Sequence, residues 1–173
     1  MIITAGKYKG QKINVPDESI TRPTLSKVRM GVFNTLQSMI DFENKTFLDM
    51  YAGSGIMGLE AMSRGFSYAV AIEKNTKASN IIKSNFKKFD KSPKLIVSDS
   101  LKAVKNFTKG FDVIYIDPPY YKGIYENSLE TIKNIANNII ILEHISGVEI
   151  KFGVYEIIKQ KTYGDKIITF LHI

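Results

Sequence analysis

Two short segments carry residue types that could do chemistry together. The first, Phe47-Leu-Asp-Met-Tyr-Ala-Gly-Ser-Gly-Ile-Met-Gly58, puts Gly53 and Gly55 where an apolar strand must turn into a helix. Glycine permits positive φ and lets a ligand touch the backbone, and the helix that follows offers unsatisfied N–H groups. The spacing also satisfies G-x-G-x-x-G, so the glycines alone do not decide between a dinucleotide and S-adenosylmethionine. Asp49 and Asp99 favour the latter, while an acid at Glu73 suits either. Asp49 directly precedes the turn, where it would repel a pyrophosphate but can bind a methionine ammonium. Glu73 ends the next strand twenty-four residues on, placed to hold a ribose hydroxyl, and Asp99 follows the third strand, placed to accept from an adenine amine. Singly, each carboxylate could merely cap a strand end in a flavodoxin-like or Rossmann protein. Three at the carboxyl edge of successive strands mark a ligand site, with Tyr51, Ala52, Ser54, Lys74 and Ser100 beside them as further expected contacts.

The second segment is Asp117-Pro118-Pro119-Tyr120, at the end of the apolar run Val113-Ile-Tyr-Ile116. Two prolines fix φ and remove N–H donors, leaving the backbone carbonyls and the Asp117 carboxylate as rigid acceptors. Methyl transfer to an aromatic amine needs such a set. The nitrogen lone pair is delocalised into the ring until acceptors hold the amine protons, and acceptors aimed at the developing charge stabilise the transition state. Tyr120 can stack on a base and set its plane. A Pro-Pro turn can also simply end a strand, but here it follows the fourth strand of a chain with a glycine turn after the first. Asp117, Pro118, Pro119 and Tyr120 are therefore the expected catalytic loop, with Asp117 also facing the cofactor.

The elements that must position these segments alternate. Strand patterns at 46–49, 68–73, 94–97, 112–116 and 138–143 are separated by helical patterns at 56–64, 76–89, 101–107 and 125–136, which predicts a parallel sheet covered on both faces. Runs at 155–161 and 166–173, joined by Tyr163-Gly164-Asp165, predict a closing antiparallel hairpin and seven strands in all. Upstream, short apolar segments at 2–4 and 12–15 predict a small hairpin. Val28, Val32, Phe33, Leu36 and Ile40 predict an amphipathic helix over 26–40 with Thr24 or Ser26 as N-cap. The expected architecture is an α/β, Rossmann-like single domain over 1–173, in which 1–43 extend a cofactor-binding core at 44–173.

No cysteine is present and His144 and His172 are the only histidines, so no metal site is expected. The chain lacks an apolar run long enough to span a membrane or serve as a signal peptide, and a cytoplasmic monomer is expected. The net charge is +7, with three arginines among 24 basic residues. Lys7, Lys9, Lys12, Arg22, Lys27 and Arg29 against only Asp17 and Glu18 make the amino-terminal segment a basic lip suited to phosphates. A second group, Lys74, Lys77, Lys83, Lys87, Lys88, Lys91 and Lys94, reads as the solvated face of a helix. His144 reads as a strand-end surface residue, Tyr51 and Phe33 as core or cofactor-wall residues, and Tyr121 and Tyr125 as packing.

With both sites in view, the sequence resembles the RsmD family of bacterial methyltransferases, which modify guanine N2 in small-subunit ribosomal RNA. The resemblance covers nearly the whole chain. It runs through Ile3-Thr-Ala-Gly-Lys-Tyr-Lys-Gly10, Arg22-Pro-Thr24 with Val28-Arg29 and Val32-Phe-Asn34, Asp49-Met-Tyr-Ala-Gly-Ser-Gly55, Gly58-Leu-Glu-Ala-Met-Ser-Arg-Gly65, Asp117-Pro-Pro-Tyr120 and Tyr163-Gly164-Asp165. It implies a class I methyltransferase fold, ribosomal RNA or the small ribosomal subunit as partner, and Lys7, Lys9, Arg22, Thr24 and Arg29 as RNA contacts. Ser26 and Met30 stand where the family often has acidic residues. The alternatives are an adenine-N6 methyltransferase on RNA or DNA, which shares Asp-Pro-Pro-Tyr, and a noncatalytic nucleic-acid-binding module on the same fold.

Overall fold

The structure is a computed structural model that describes residues 1–17, 26–119 and 123–172. Its described strands are β1 (Thr46–Asp49), β2 (Tyr68–Glu73), β3 (Lys94–Val97), β4 (Phe111–Ile116), β5 (Ala136–Ile145), β6 (Glu156–Tyr163) and β7 (Lys166–His172). They form one sheet in the order β3-β2-β1-β4-β5-β7-β6. The first five are parallel, and β7 runs antiparallel between β5 and β6.

Alternate residues of the central strands face opposite layers, so both faces must be covered. Phe47, Ala69, Ala71, Val113 and Tyr115 pack under α1 (Ser26–Gln37), α2 (Ile56–Arg64) and α3 (Thr76–Phe86). Leu48, Val70, Ile72, Ile114 and Ile116 pack under α4 (Ser100–Val104) and α5 (Ile124–Thr131). The strand order reverses between β1 and β4, which opens a crevice at their carboxyl ends.

The fold matches the expected layout, and the departures have local causes. The 2–4 and 12–15 segments do pair as a short antiparallel hairpin, through the Ile2–Lys12 bridge with the Ile3 N–H donating to the Gln11 carbonyl (3.0 Å) and the Ile13 N–H to the Met1 carbonyl (2.9 Å), and they bury Ile3, Tyr8 and Ile13 in the α1–α3 layer. The third helix ends at Phe86 because Asn85 turns to the amino-terminal segment, accepting from the Asn14 N–H (2.9 Å) and donating to its carbonyl (2.8 Å). The chain then bends so that Phe89 meets Tyr8, ring centroids 4.9 Å apart. Between β5 and β6 the chain passes over in turns with no crossover helix. His144 is not a surface residue: it lies buried inside β5, its Nε2 2.9 Å from the Thr169 hydroxyl, and burial lowers its pKa.

Candidate active site

The crevice holds a cavity of about 470 Å³. The backbone builds it first. Asp49 and Tyr115 are register partners on β1 and β4, and the Met50 N–H donates to the Tyr115 carbonyl (3.0 Å), so the loops leaving the two strands emerge side by side. Gly53 and Gly55 both adopt positive φ, 55° and 77°. A Cβ on Gly55 would sit 2.9 Å from the Phe86 ring, so the turn is pressed onto α3 and tolerates no side chain there. The turn delivers the chain into α2 with its first N–H groups at the cavity side.

Of the residues expected from sequence, Asp49, Tyr51, Ala52, Gly53, Ser54, Glu73, Lys74, Asp99, Ser100, Asp117, Pro118 and Pro119 all line this cavity. Gly55 stands behind the wall. Tyr120, Arg22 and Thr24 lie outside the described residues.

The three carboxylates differ. Glu73 accepts from the Gly53 N–H (2.8 Å) through one oxygen and from the Asn75 N–H (2.7 Å) through the other, which ties the glycine turn to the end of β2. Asp99 caps α4 by accepting from the Lys102 N–H (3.2 Å). Asp49 is almost wholly buried, and neither oxygen makes a hydrogen bond within the protein. Burial pushes its carboxyl up to about 7, with the Glu73 charge adding to the rise and the nearby Tyr51 and Gly58 amides opposing it. An acid this buried, opposed only by two amides that fall short of hydrogen-bond geometry, at the mouth of a glycine turn, is a group suited to a cation.

The opposite wall comes from β4. Asp117 is half-buried, Pro118 buried and Pro119 exposed. Tyr115, which no sequence motif marks, also lines the cavity. Its hydroxyl donates to Glu143, whose other oxygen is held by Lys166. Burial first, then the Glu143 charge, raises the Tyr115 pKa well above the phenolic value. A polar aromatic at a period-2 position facing the same side as Asp49, within an aliphatic strand, was the available signal. Tyr51 is a wall residue whose hydroxyl is 2.7 Å from the Ser128 hydroxyl, while Phe33 and Tyr125 are core.

Of the expected RNA contacts, the described ones, Lys7, Lys9 and Arg29, do not line the cavity. Lys7 and Lys9 are exposed but sit on the hairpin tip, beyond the far end of α2. Arg29, in contrast to the expectation, is completely buried, pairs with Glu60 and donates to the Ile2 carbonyl (2.7 Å), so it presents no surface to a nucleic acid. Ser26 and Met30 are exposed.

Comparison with known proteins gives the family. The model of the family described as Conserved hypothetical protein 95 matches residues 1–172. The chain belongs to that family, the RsmD family. YlbH of Bacillus subtilis, described as a candidate rRNA methyltransferase, is 31% identical over 95% of this chain and 94% of its own. Ribosomal RNA small subunit methyltransferase D of Buchnera aphidicola is 32% identical over 76% of this chain and 69% of its own. The solved structure of yhhF from Escherichia coli, described as a candidate methyltransferase, superposes with a TM-score of 0.85 at 23% identity, covering 99% of this chain and 97% of its own. The RsmD-like chain thus has the α/β class I methyltransferase fold.

Proposed function

We propose that this RsmD-family chain transfers a methyl group from S-adenosylmethionine to the exocyclic N2 amine of a guanine in small-subunit ribosomal RNA. The observation that carries it is the pairing, across one cavity, of an unpartnered buried Asp49 at the glycine turn with the Asp117-Pro118-Pro119 loop of the adjacent strand. The names of the relatives support RNA as the acceptor.

The donor set fits the cofactor. Asp49 would hold the methionine ammonium, Glu73 would accept from the ribose hydroxyls through lone pairs left beyond the amides it already accepts, and Asp99 would accept from the adenine amine. Bound there, S-adenosylmethionine supplies an electrophilic methyl on a sulfonium. The protein's own part is orientation and charge. Asp117 and the proline-fixed carbonyls accept from the amine protons, drawing the nitrogen out of conjugation, and Pro118 and Tyr115 keep that wall rigid. No covalent enzyme intermediate and no metal are needed. Residues 1–43 and 44–173 would act as one cytoplasmic unit.

The test is transfer of radiolabelled methyl groups to small ribosomal subunits, followed by nucleoside mass spectrometry. N2-methylguanosine is the expected product. N6-methyladenosine would overturn the base assignment, and cofactor binding without transfer would overturn the acceptor.

A further inference from the structure

By sequence spacing, the lysines between 74 and 94 are a solvated helix face, separate from the amino-terminal lip. The fold joins part of the two. The Lys7 N–H donates to the Ser63 carbonyl (2.8 Å) at the end of α2, and the Ser63 hydroxyl donates to the Ala5 carbonyl (2.6 Å) and accepts from the Tyr8 N–H (2.9 Å). From there the tip reaches the segment after α3. Lys7 pairs with Asp90, the Tyr8 hydroxyl donates to the other Asp90 oxygen, and the same hydroxyl accepts from the Lys91 N–H (3.0 Å). Because α2 starts at the glycine turn and runs nine residues, the tip stands about 13 Å from that turn.

The interlocked surface presents Lys7, Lys9, Lys87, Lys88 and Lys91, all exposed, and Asp90 is the carboxylate between them. A merely solvated helix intersperses acids to relieve like-charge repulsion. The sequence from Lys74 to Phe89 contains none, whereas Lys133 on the opposite face of the sheet is paired with Glu130. Exposed lysines on two segments that hydrogen bonds lock together gain most from a polyanion. Resting on the RNA-substrate reading above, we propose that the hairpin tip and the post-α3 segment together form a second RNA contact, remote from the transfer site, that grips phosphates flanking the target nucleotide.

The test compares the triple variant Lys87→Gln/Lys88→Gln/Lys91→Gln with a control of equal charge change on the other face, Lys105→Gln/Lys109→Gln/Lys133→Gln. Binding to a labelled RNA hairpin is measured across salt concentrations, and transfer to small subunits is measured in parallel. The patch variant should bind RNA on the order of ten-fold more weakly, with a salt slope lower by about two to three, an elevated KM and an unchanged kcat. The control should match wild type. Equal losses in both variants, or none in either, would overturn the proposal. So would a loss seen with subunits but not with naked RNA, which would assign the patch to a protein partner. Hairpin binding reads the patch whether or not transfer occurs, so failure of wild type to methylate RNA would count against the substrate reading alone.

Discussion

Arg29 Nε and Glu60 Oε2 stand 3.7 Å apart with no side-chain surface of either residue exposed. Glu60 also accepts from the Thr4 N–H (2.9 Å), the Ala5 N–H (3.1 Å) and Arg64 Nε (2.9 Å), so one carboxylate on α2 binds the amino-terminal segment, α1 and its own helix together. Burial disfavours the Arg29 charge, and Glu60 is the group that restores it. Glu60→Gln should leave that cation without its counter-charge and cost about 3–5 kcal/mol, the usual penalty for breaking a buried pair. Urea unfolding measures it, with amide exchange at Thr4 and Ala5 accelerating beyond the rest of the chain. A loss under about 1 kcal/mol, typical of an exposed pair, would mean the cluster does not hold the segment down.

Asp49 predicts a pH dependence. Its carboxyl titrates near 7 in the folded chain and near 3.8 when exposed. Between those values the folded state binds the extra proton, so the ligand-free protein should lose stability as pH rises from about 4 to about 7. Cofactor binding should run the opposite way, because only the ionised carboxylate pairs with an ammonium. Affinity should rise up to ten-fold per pH unit below about 7 and level off above it, as titration calorimetry would register. Asp49→Asn should flatten that profile and weaken binding roughly ten- to hundred-fold, the value of a hydrogen bond to a charged group. A pH-independent affinity in the native chain would remove Asp49 from the ammonium site.

Asp117 predicts a separation of binding from transfer. It stands on the β4 wall, across the cavity from the glycine turn. Asp117→Ala should lower kcat by roughly 100- to 1000-fold, the scale of losing one preorganised acceptor, with cofactor affinity little changed. Single-turnover transfer beside equilibrium cofactor binding measures both. Loss of both together would assign Asp117 to holding the cofactor instead.

What could be read in the sequence was whatever depends on chain-local chemistry. The sheet followed from apolar runs between helical patterns, and the cavity wall from glycines and carboxylates at strand ends, because a strand end fixes which way its next residues point. What could not be read depends on contacts between distant segments. Arg29 looks like any exposed basic residue of an amphipathic helix until Glu60, thirty-one positions later, is brought against it. His144 looked like a strand end because β5 runs to Ile145, further than its apolar run suggests, and Thr169 on β7 supplies the partner. Tyr115 left only one trace, a polar aromatic within an aliphatic strand, since its meaning comes from Glu143 and Lys166 on two other strands.

Gly6 carries the last prediction. It holds φ at 79°, and a Cβ there would lie 1.9 Å from the Ser63 carbonyl oxygen, a backbone atom at the end of α2 that cannot swing aside. Gly6→Ala should therefore lift the hairpin tip off α2 and separate Lys7 and Tyr8 from Asp90 while leaving the sheet and the cavity intact. Stability should fall by about 1–3 kcal/mol, as expected where a side chain is forced into positive φ and a packed contact. Cofactor affinity should stay level and the KM for the RNA substrate should rise, since the phosphate-gripping lysines would no longer be held in one surface. Thermal unfolding, cofactor titration and transfer kinetics on this single variant give the three readings, and an unchanged KM alongside the expected destabilisation would mean that the docked tip serves the fold alone.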